Sequence, residues 1–165
     1  MRILALDLSS KSTGWFLSTG KSYGKIVPLA SYTFEEKLVF FRKELECVVK
    51  KYVPDLVVIE DAYYSPGFGN IHTLKTLTKF AGVATELCAS MGIAVELITA
   101  TRARKYCCGK DKIDKQGVFK FFKEKYNLDY SFEAGNDITD AAALIWGYRG
   151  FKKQENKGDS KARKT

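Results

Sequence analysis

Residues 2–8, RILALDL, are almost all apolar, yet the run carries one carboxylate, Asp7. A short apolar run that gives way to the polar turn Ser9–Thr13 reads as a buried strand. Burying a carboxylate is costly unless the strand edge meets a cleft or a cation. The chain is therefore constrained twice at its start. It must cover this strand on both faces, and it must give Asp7 a partner.

The following segments supply the cover. Residues 14–19, GWFLST, read as a second strand and a third is expected within 25–34, so the fold opens as an antiparallel hairpin sheet. Residues 35–52 place Leu38, Phe41, Leu45, Val48 and Val49 at helical spacing, with acids at the start and lysines at the end, as the helix dipole favours. The run DLVVIE, 55–60, reads as a central strand. After the aromatic loop DAYYSPGFGN, a helix is expected over 71–90 with Ile71, Leu74, Leu77, Ala81, Ala84 and Leu87 as its stripe and Gly92 as its stop. Residues 93–98, IAVELI, read as a strand, 99–106 as a short helix and 114–126 as another helix. A last helix over 136–151 turns Ala141, Leu144, Ile145 and Tyr148 inward. The fold class is α/β, with a mixed sheet flanked by helices on both faces. Residues 1–151 read as one domain, and 152–165 as a basic, disordered tail.

Composition narrows the function. The net charge of +8 is unevenly spread: residues 102–125 carry a net +6, residues 126–151 a net −3, and the last 14 residues a net +4. A basic segment beside an acidic one favours a polyanionic partner. Cys47, Cys88, Cys107 and Cys108 form no C-x-x-C pair and His72 is the single histidine, so a zinc site lacks its spacing. The thiols read as free and buried in a reducing cytosol. One histidine also weakens any Ser–His or Cys–His hydrolase reading. No apolar run reaches the ~18 residues of a membrane span. Asp7 falls where a signal peptide needs its apolar stretch, so a cytoplasmic protein is expected.

Four acids stand out by placement. Asp7 lies in the first strand and Glu60 ends LVVIE, where α/β folds place ligand groups. Asp137 and Asp140, in NDITDAAAL, share one helix face. Asp61 is the alternative to Glu60, but strand alternation sends it to the other face. Carboxylates this close repel; at ~4 Å and an effective dielectric of ~20 the cost is about 4 kcal/mol. A bound divalent cation reverses the sign, and an all-oxygen set favours Mg²⁺ or Mn²⁺ over zinc.

Asp7 in LALDLSSKSTGW, Glu60 in DLVVIEDAYY, and Asp137 with Asp140 in NDITDAAALIWGY resemble the four acidic signatures of the RuvC-type Holliday-junction resolvases, RNase H-like nucleases. The resemblance covers residues 2–150 in the family's order. It implies the RNase H-like fold, a five-stranded mixed β-sheet between helices. It also implies a homodimeric endonuclease that resolves four-way DNA junctions, and other branched DNA, by paired symmetric nicks, with no membrane and no organic cofactor. The four acids would hold two Mg²⁺ ions, with Mn²⁺ able to substitute. Lys115, in KQGV, matches a basic catalytic position, and Arg104 matches a second one, with Arg for the usual Lys. Lys105, Lys110 and Lys112 are further DNA contacts in the same basic segment. Tyr63, three residues past Glu60, matches an aromatic that stacks on an unpaired base, with Tyr64 and Phe68 as alternatives. The helix over 71–90 corresponds to the family's dimer helix, and Phe80 and Val83, off its core stripe, are candidates for a self-association face.

Three rivals remain at this point. LALDLSSKSTGW also resembles the first phosphate loop of actin-like and sugar-kinase phosphotransferases, which need two domains and a second glycine-rich motif that this chain lacks. Another RNase H-like nuclease, acting on RNA–DNA hybrids or processing RNA, is the second. A DNA-binding module without chemistry is the third, opposed by the presence of all four acids.

Overall fold

The computed structural model describes residues 1–62, 70–107 and 113–162, with 155–162 as backbone alone. Its sheet contains β1 (Ile3–Asp7), β2 (Thr13–Leu17), β3 (Tyr23–Ile26), β4 (Leu56–Glu60) and β5 (Ala94–Ile98), in the order β3-β2-β1-β4-β5. The three N-terminal strands pair antiparallel, and β1, β4 and β5 pair parallel. This is the expected five-stranded mixed sheet. The third strand starts earlier than expected, because the tight turn at Gly20 (φ +73°) returns the chain at once.

Strands β1 and β4 are covered on both faces, which is why they read as continuous apolar runs. Ile3 and Ala5 face one layer, with Leu56 and Val58 beside them; Leu4, Leu6, Val57 and Ile59 face the other. Helices α1 (Phe34–Tyr52) and α2 (Ile71–Ser90) cover the second face. Thr33 and Glu36 cap α1 reciprocally, and Gly92 (φ +71°) follows the end of α2. Helices α3 (Ala100–Cys107), α4 (Lys115–Tyr126) and α5 (Phe132–Ala162) cover the first face.

Two expectations are corrected. Phe80 is not on an outer face of α2. It is 1% exposed and packs edge-on against Phe34 and at 5.0 Å from the Phe41 ring. Val83 is half-buried against the same cluster, and Ile71, placed on the core stripe, is 51% exposed. The helix period starts its inward face one turn later than the stripe assumed. The last helix also runs well past residue 151, to Ala162, so residues 152–162 are helical rather than disordered. Gly147 and Gly150 do not stop it, because α3 crosses there. A Cβ on Gly147 would overlap the Ala103 backbone, and one on Gly150 would come to 2.7 Å from the Tyr106 side chain. Beyond them the sequence holds no proline and is rich in good helix formers.

Truncating Phe80 to alanine is expected to cost about 3–5 kcal/mol in urea unfolding, as for a large buried aromatic. The loss should be independent of protein concentration; a loss seen only at dilutions that favour monomers would return Phe80 to an interface.

Candidate active site

The site forms at one end of the sheet. Asp7 is the last residue of β1 and Glu60 the last of the parallel neighbour β4. Leu6 pairs with Ile59, so the two carboxylates leave adjacent strand ends. Alternation puts both on the α5 side, with Ile3 and Ala5, and Leu56 and Val58, behind them. Asp61 lies past the strand and is exposed, its N–H donating to the Ile98 carbonyl.

The N-terminal part of α5 brings the other two acids over the sheet. Its approach depends on Gly14. In register, Asp7 pairs with Gly14 and Gly14 with Lys25, so one row across three strands reads acid, glycine, lysine. Directly paired residues share a sheet face. The missing side chain at Gly14 leaves the gap that α5 fills: a Cβ there would overlap the Asp137 backbone carbonyl. Ile138, Ala141 and Ala142, all buried, continue that close contact.

The acids are thereby drawn into one electrostatic system. Burial first, then the charges of Glu60 and Asp140, push the Asp7 carboxyl well above the ordinary carboxylate range. Burial also raises Glu60; Asp140 adds to this, while a hydrogen bond from Asp7, Lys115 and Arg104 act the other way. Both carboxyls are thus shifted toward their protonated forms, Asp7 the more strongly. Asp140 meets Lys115, whose Nζ lies 3.1 Å from Oδ2. Burial alone would lower the Lys115 pKa, but Asp140, Asp7 and Glu60 outweigh it and hold the ammonium above its usual value. Lys115 opens α4, where a positive charge opposes the helix dipole; the acids supply the compensation.

Asp137 is held differently. Its Oδ2 accepts a hydrogen bond from Ser12 Oγ at 2.7 Å and an ion pair from Lys25 Nζ at 3.1 Å. Neither Lys25, Ser12 nor Gly14 was singled out from the sequence. The signal that carries them is the hairpin register, which places Lys25 two strands from Asp7 in the same row.

Of the basic candidates, Lys115 and Arg104 converge on the acids. Lys105 is exposed and its ammonium lies 5.9 Å from the Tyr106 ring centroid. Tyr63, Tyr64, Phe68, Lys110 and Lys112 lie outside the described residues. Next to Glu60, a groove of about 390 Å³ is lined by Asp61, Thr99, Ala100 and Thr101.

A donor set of carboxylate oxygens, desolvated and mutually repelling, fits a hard divalent cation. Among the described residues no three such groups already stand in a finished metal-binding arrangement, and two of the acids are paired with lysines instead.

The family model described as crossover junction endodeoxyribonuclease RuvC matches residues 7–146. This chain belongs to the RuvC family. Its sequence is 26% identical over 151 residues to the crossover junction endodeoxyribonuclease RuvC of Caldanaerobacter subterraneus subsp. tengcongensis, covering 87% of this chain and 89% of the relative. It is 29% identical over 122 residues to the RuvC of Ruminiclostridium cellulolyticum, covering 74% and 71%. The fold is shared with T. thermophilus RuvC solved in complex with a Holliday junction substrate, at a TM-score of 0.78, 12% identity, and coverage of 94% and 96%. The sheet and its helices are therefore the RNase H-like fold of the RuvC family, and the family's enzymes are divalent-metal-dependent nucleases.

Two outcomes follow. A carboxyl whose pKa is raised by folding contributes stability that is present below its unfolded value of ~3.9 and lost as pH rises through the folded value. Metal-free Asp7→Asn should therefore melt above the unsubstituted protein at pH 7, with the gap closing toward pH 4. Each ~1 kcal/mol gained corresponds to about 2–4 °C in calorimetry with a chelator present; equal melting temperatures at pH 7 would contradict the desolvated cluster. Gly14→Ala forces α5 off the sheet and should cost about 1–3 kcal/mol, with nuclease activity falling further than the folded fraction.

Proposed function

We propose that this RuvC-family enzyme resolves four-way DNA junctions, cutting two opposing strands symmetrically as a homodimer. The observation that carries the reading is the shared electrostatics of Asp7, Glu60 and Asp140, three acids from three elements that meet at one sheet end with Lys115. Asp137 completes the set from the same face of α5, one turn before Asp140. Two Mg²⁺ ions, or Mn²⁺ in their place, would be held by these four residues. Bound there, such ions supply an activated water and a stabilised 3′-oxygen leaving group for in-line displacement at phosphorus.

The chain's own residues divide the remaining work. Asp7 and Glu60, fixed at the ends of buried strands, provide the rigid half of the donor set. Lys115 and Arg104 place positive charge beside the acids, suited to a phosphate or to the charge that develops in the transition state. Lys105, Lys110 and Lys112 extend that charge along the basic segment as backbone contacts. Tyr63 is assigned the stacking role at the junction centre, worth ~1–3 kcal/mol and tolerant of any base. The groove beside Glu60 leaves room for a strand to approach. Helix α2 is the candidate for pairing two copies. Residues 1–151 carry the chemistry, and 152–165 are a basic extension that anchors DNA. We place the activity in the cytoplasm, on nucleoid DNA or in a host's cytoplasm; no helix among the described residues is long and apolar enough to cross a membrane.

The test offers labelled four-way junction, linear duplex, flap and RNA–DNA hybrid, each with and without Mg²⁺ or Mn²⁺. Paired nicks at the junction, lost in Asp7→Asn and Glu60→Gln, are expected. Preferential cutting of the hybrid would overturn the substrate assignment. Tyr63→Ala should lose cleavage about tenfold or more while losing less binding, given the stacking energy above; equal losses would assign Tyr63 to packing.

A further inference from the structure

The two acids of α5 are matched by two lysines. Lys115 from α4 takes Asp140 and Lys25 from β3 takes Asp137, each at 3.1 Å. The pairs differ in setting. Lys115 and Asp140 are 58% and 12% exposed, an exposed lysine on a largely buried acid, whereas Lys25 and Asp137 are 24% and 26% exposed. Asp137 also receives the Ser12 hydroxyl on the same oxygen. Its carboxylate is therefore satisfied by a cation and a hydroxyl that the chain itself provides.

We propose that Lys25 is a built-in competitor for the divalent cation at Asp137. It is a positioning residue that latches the metal-free site and sets the metal concentration at which Asp137 becomes available. The proposal rests on the metal-dependent reading above. Its physical basis is simple exchange: a metal ion that takes Asp137 Oδ2 must displace an ammonium and a hydroxyl donor already in place. The ammonium belongs to a strand whose register fixes it two positions from Asp7, so it stays close after displacement. The row of lysine, glycine and acid gives the latch its geometry. Gly14 lets the Asp137 backbone descend between Lys25 and Asp7, and a side chain there would separate acid from lysine.

The sign of the effect distinguishes a latch from a brace. If Lys25 merely shaped the site, removing it would weaken metal binding. If it competes, removing it strengthens metal binding. The test measures Mn²⁺ binding to the full chain without DNA, by calorimetry and by the electron paramagnetic resonance signal of free Mn²⁺. Lys25→Met should bind Mn²⁺ roughly two- to fivefold more tightly, the range for losing one partly exposed ion pair. Lys25→Arg, which keeps the charge, should restore the original affinity. In an Asp137→Asn background the gain from Lys25→Met should vanish; a gain that persists in full would assign the effect to the general field of the site and overturn the latch. Unchanged or weaker Mn²⁺ binding in a folded Lys25→Met protein would also overturn it. The metal concentration for half-maximal junction cleavage should fall by the same factor. Loss of the latch leaves junction cleavage by the unsubstituted protein intact, whereas failure of the functional reading would appear as no metal-dependent junction cleavage at all.

Discussion

Three carboxylates brought out of water beside one another make the metal-free site a place of electrostatic conflict, and much of the fold serves to hold it in that condition. Asp7 cannot move away, because it ends a strand whose other residues are fully buried. Glu60 is fixed in the same way on β4. Asp140 sits on a helix whose buried face is locked to the sheet by Ile138, Ala141 and Ala142. Relaxing the repulsion would require unpacking the core, where a buried side chain such as Ile138 contributes roughly 1.5–3 kcal/mol. Protons, lysines and divalent cations are the cheaper remedies. Lys115, whose ammonium lies 3.1 Å from Asp140, is the remedy the structure itself supplies.

The close approach of α5 is what turns an acidic surface into a site. Two glycines make it possible at opposite ends of the contact. Gly14 admits the α5 backbone to β2, and Gly147 admits the same helix to α3 at Ala103. Arg104, the neighbour of Ala103, is thereby carried near Glu60. A small residue on β2 thus sets the distance between acids, and a small residue on α5 sets the distance between a cation and one of those acids. Neither glycine touches a reacting group, yet the geometry of both charge types depends on them.

Much of this was legible in the sequence because periodicity reports burial. The apolar runs at 2–8 and 55–60 read as central strands, and each ends on an acid of the candidate site. The D-x-x-D spacing gave the shared helix face. What periodicity does not report is register. Lys25 reads as an ordinary strand lysine until its row is known, and Gly14 as an ordinary strand glycine until α5 is seen above it. Phe80 failed for a related reason. The apolar spacing from Ile71 points to one stripe, but Ile71 is exposed and the buried face of α2 is Phe80, Ala84, Leu87 and Cys88. The end of α5 failed differently. Gly147 and Gly150 offer a stop in the sequence, but α3 packs on the helix there and the chain stays helical.

The uneven charge of the chain acquires a mechanical sense from this arrangement. A bare four-acid site would repel a phosphate backbone at the point where it must be bound most closely. The chain places lysines on two of those acids from opposite sides, α4 and β3, so the metal-free site presents a largely compensated surface. Under the proposed exchange a divalent cation at Asp137 would displace the Lys25 ammonium, which its strand keeps nearby. Bound cations must be counted in the field that DNA meets. Metal and DNA should consequently favour one another's binding beyond what either set of direct contacts provides. The +6 segment at 102–125 contributes twice, through Arg104 and Lys115 at the acids and through the lysines beyond them. The acidic and basic parts of the sequence thus meet in one place, where Asp137 and Asp140 each carry a lysine from another element.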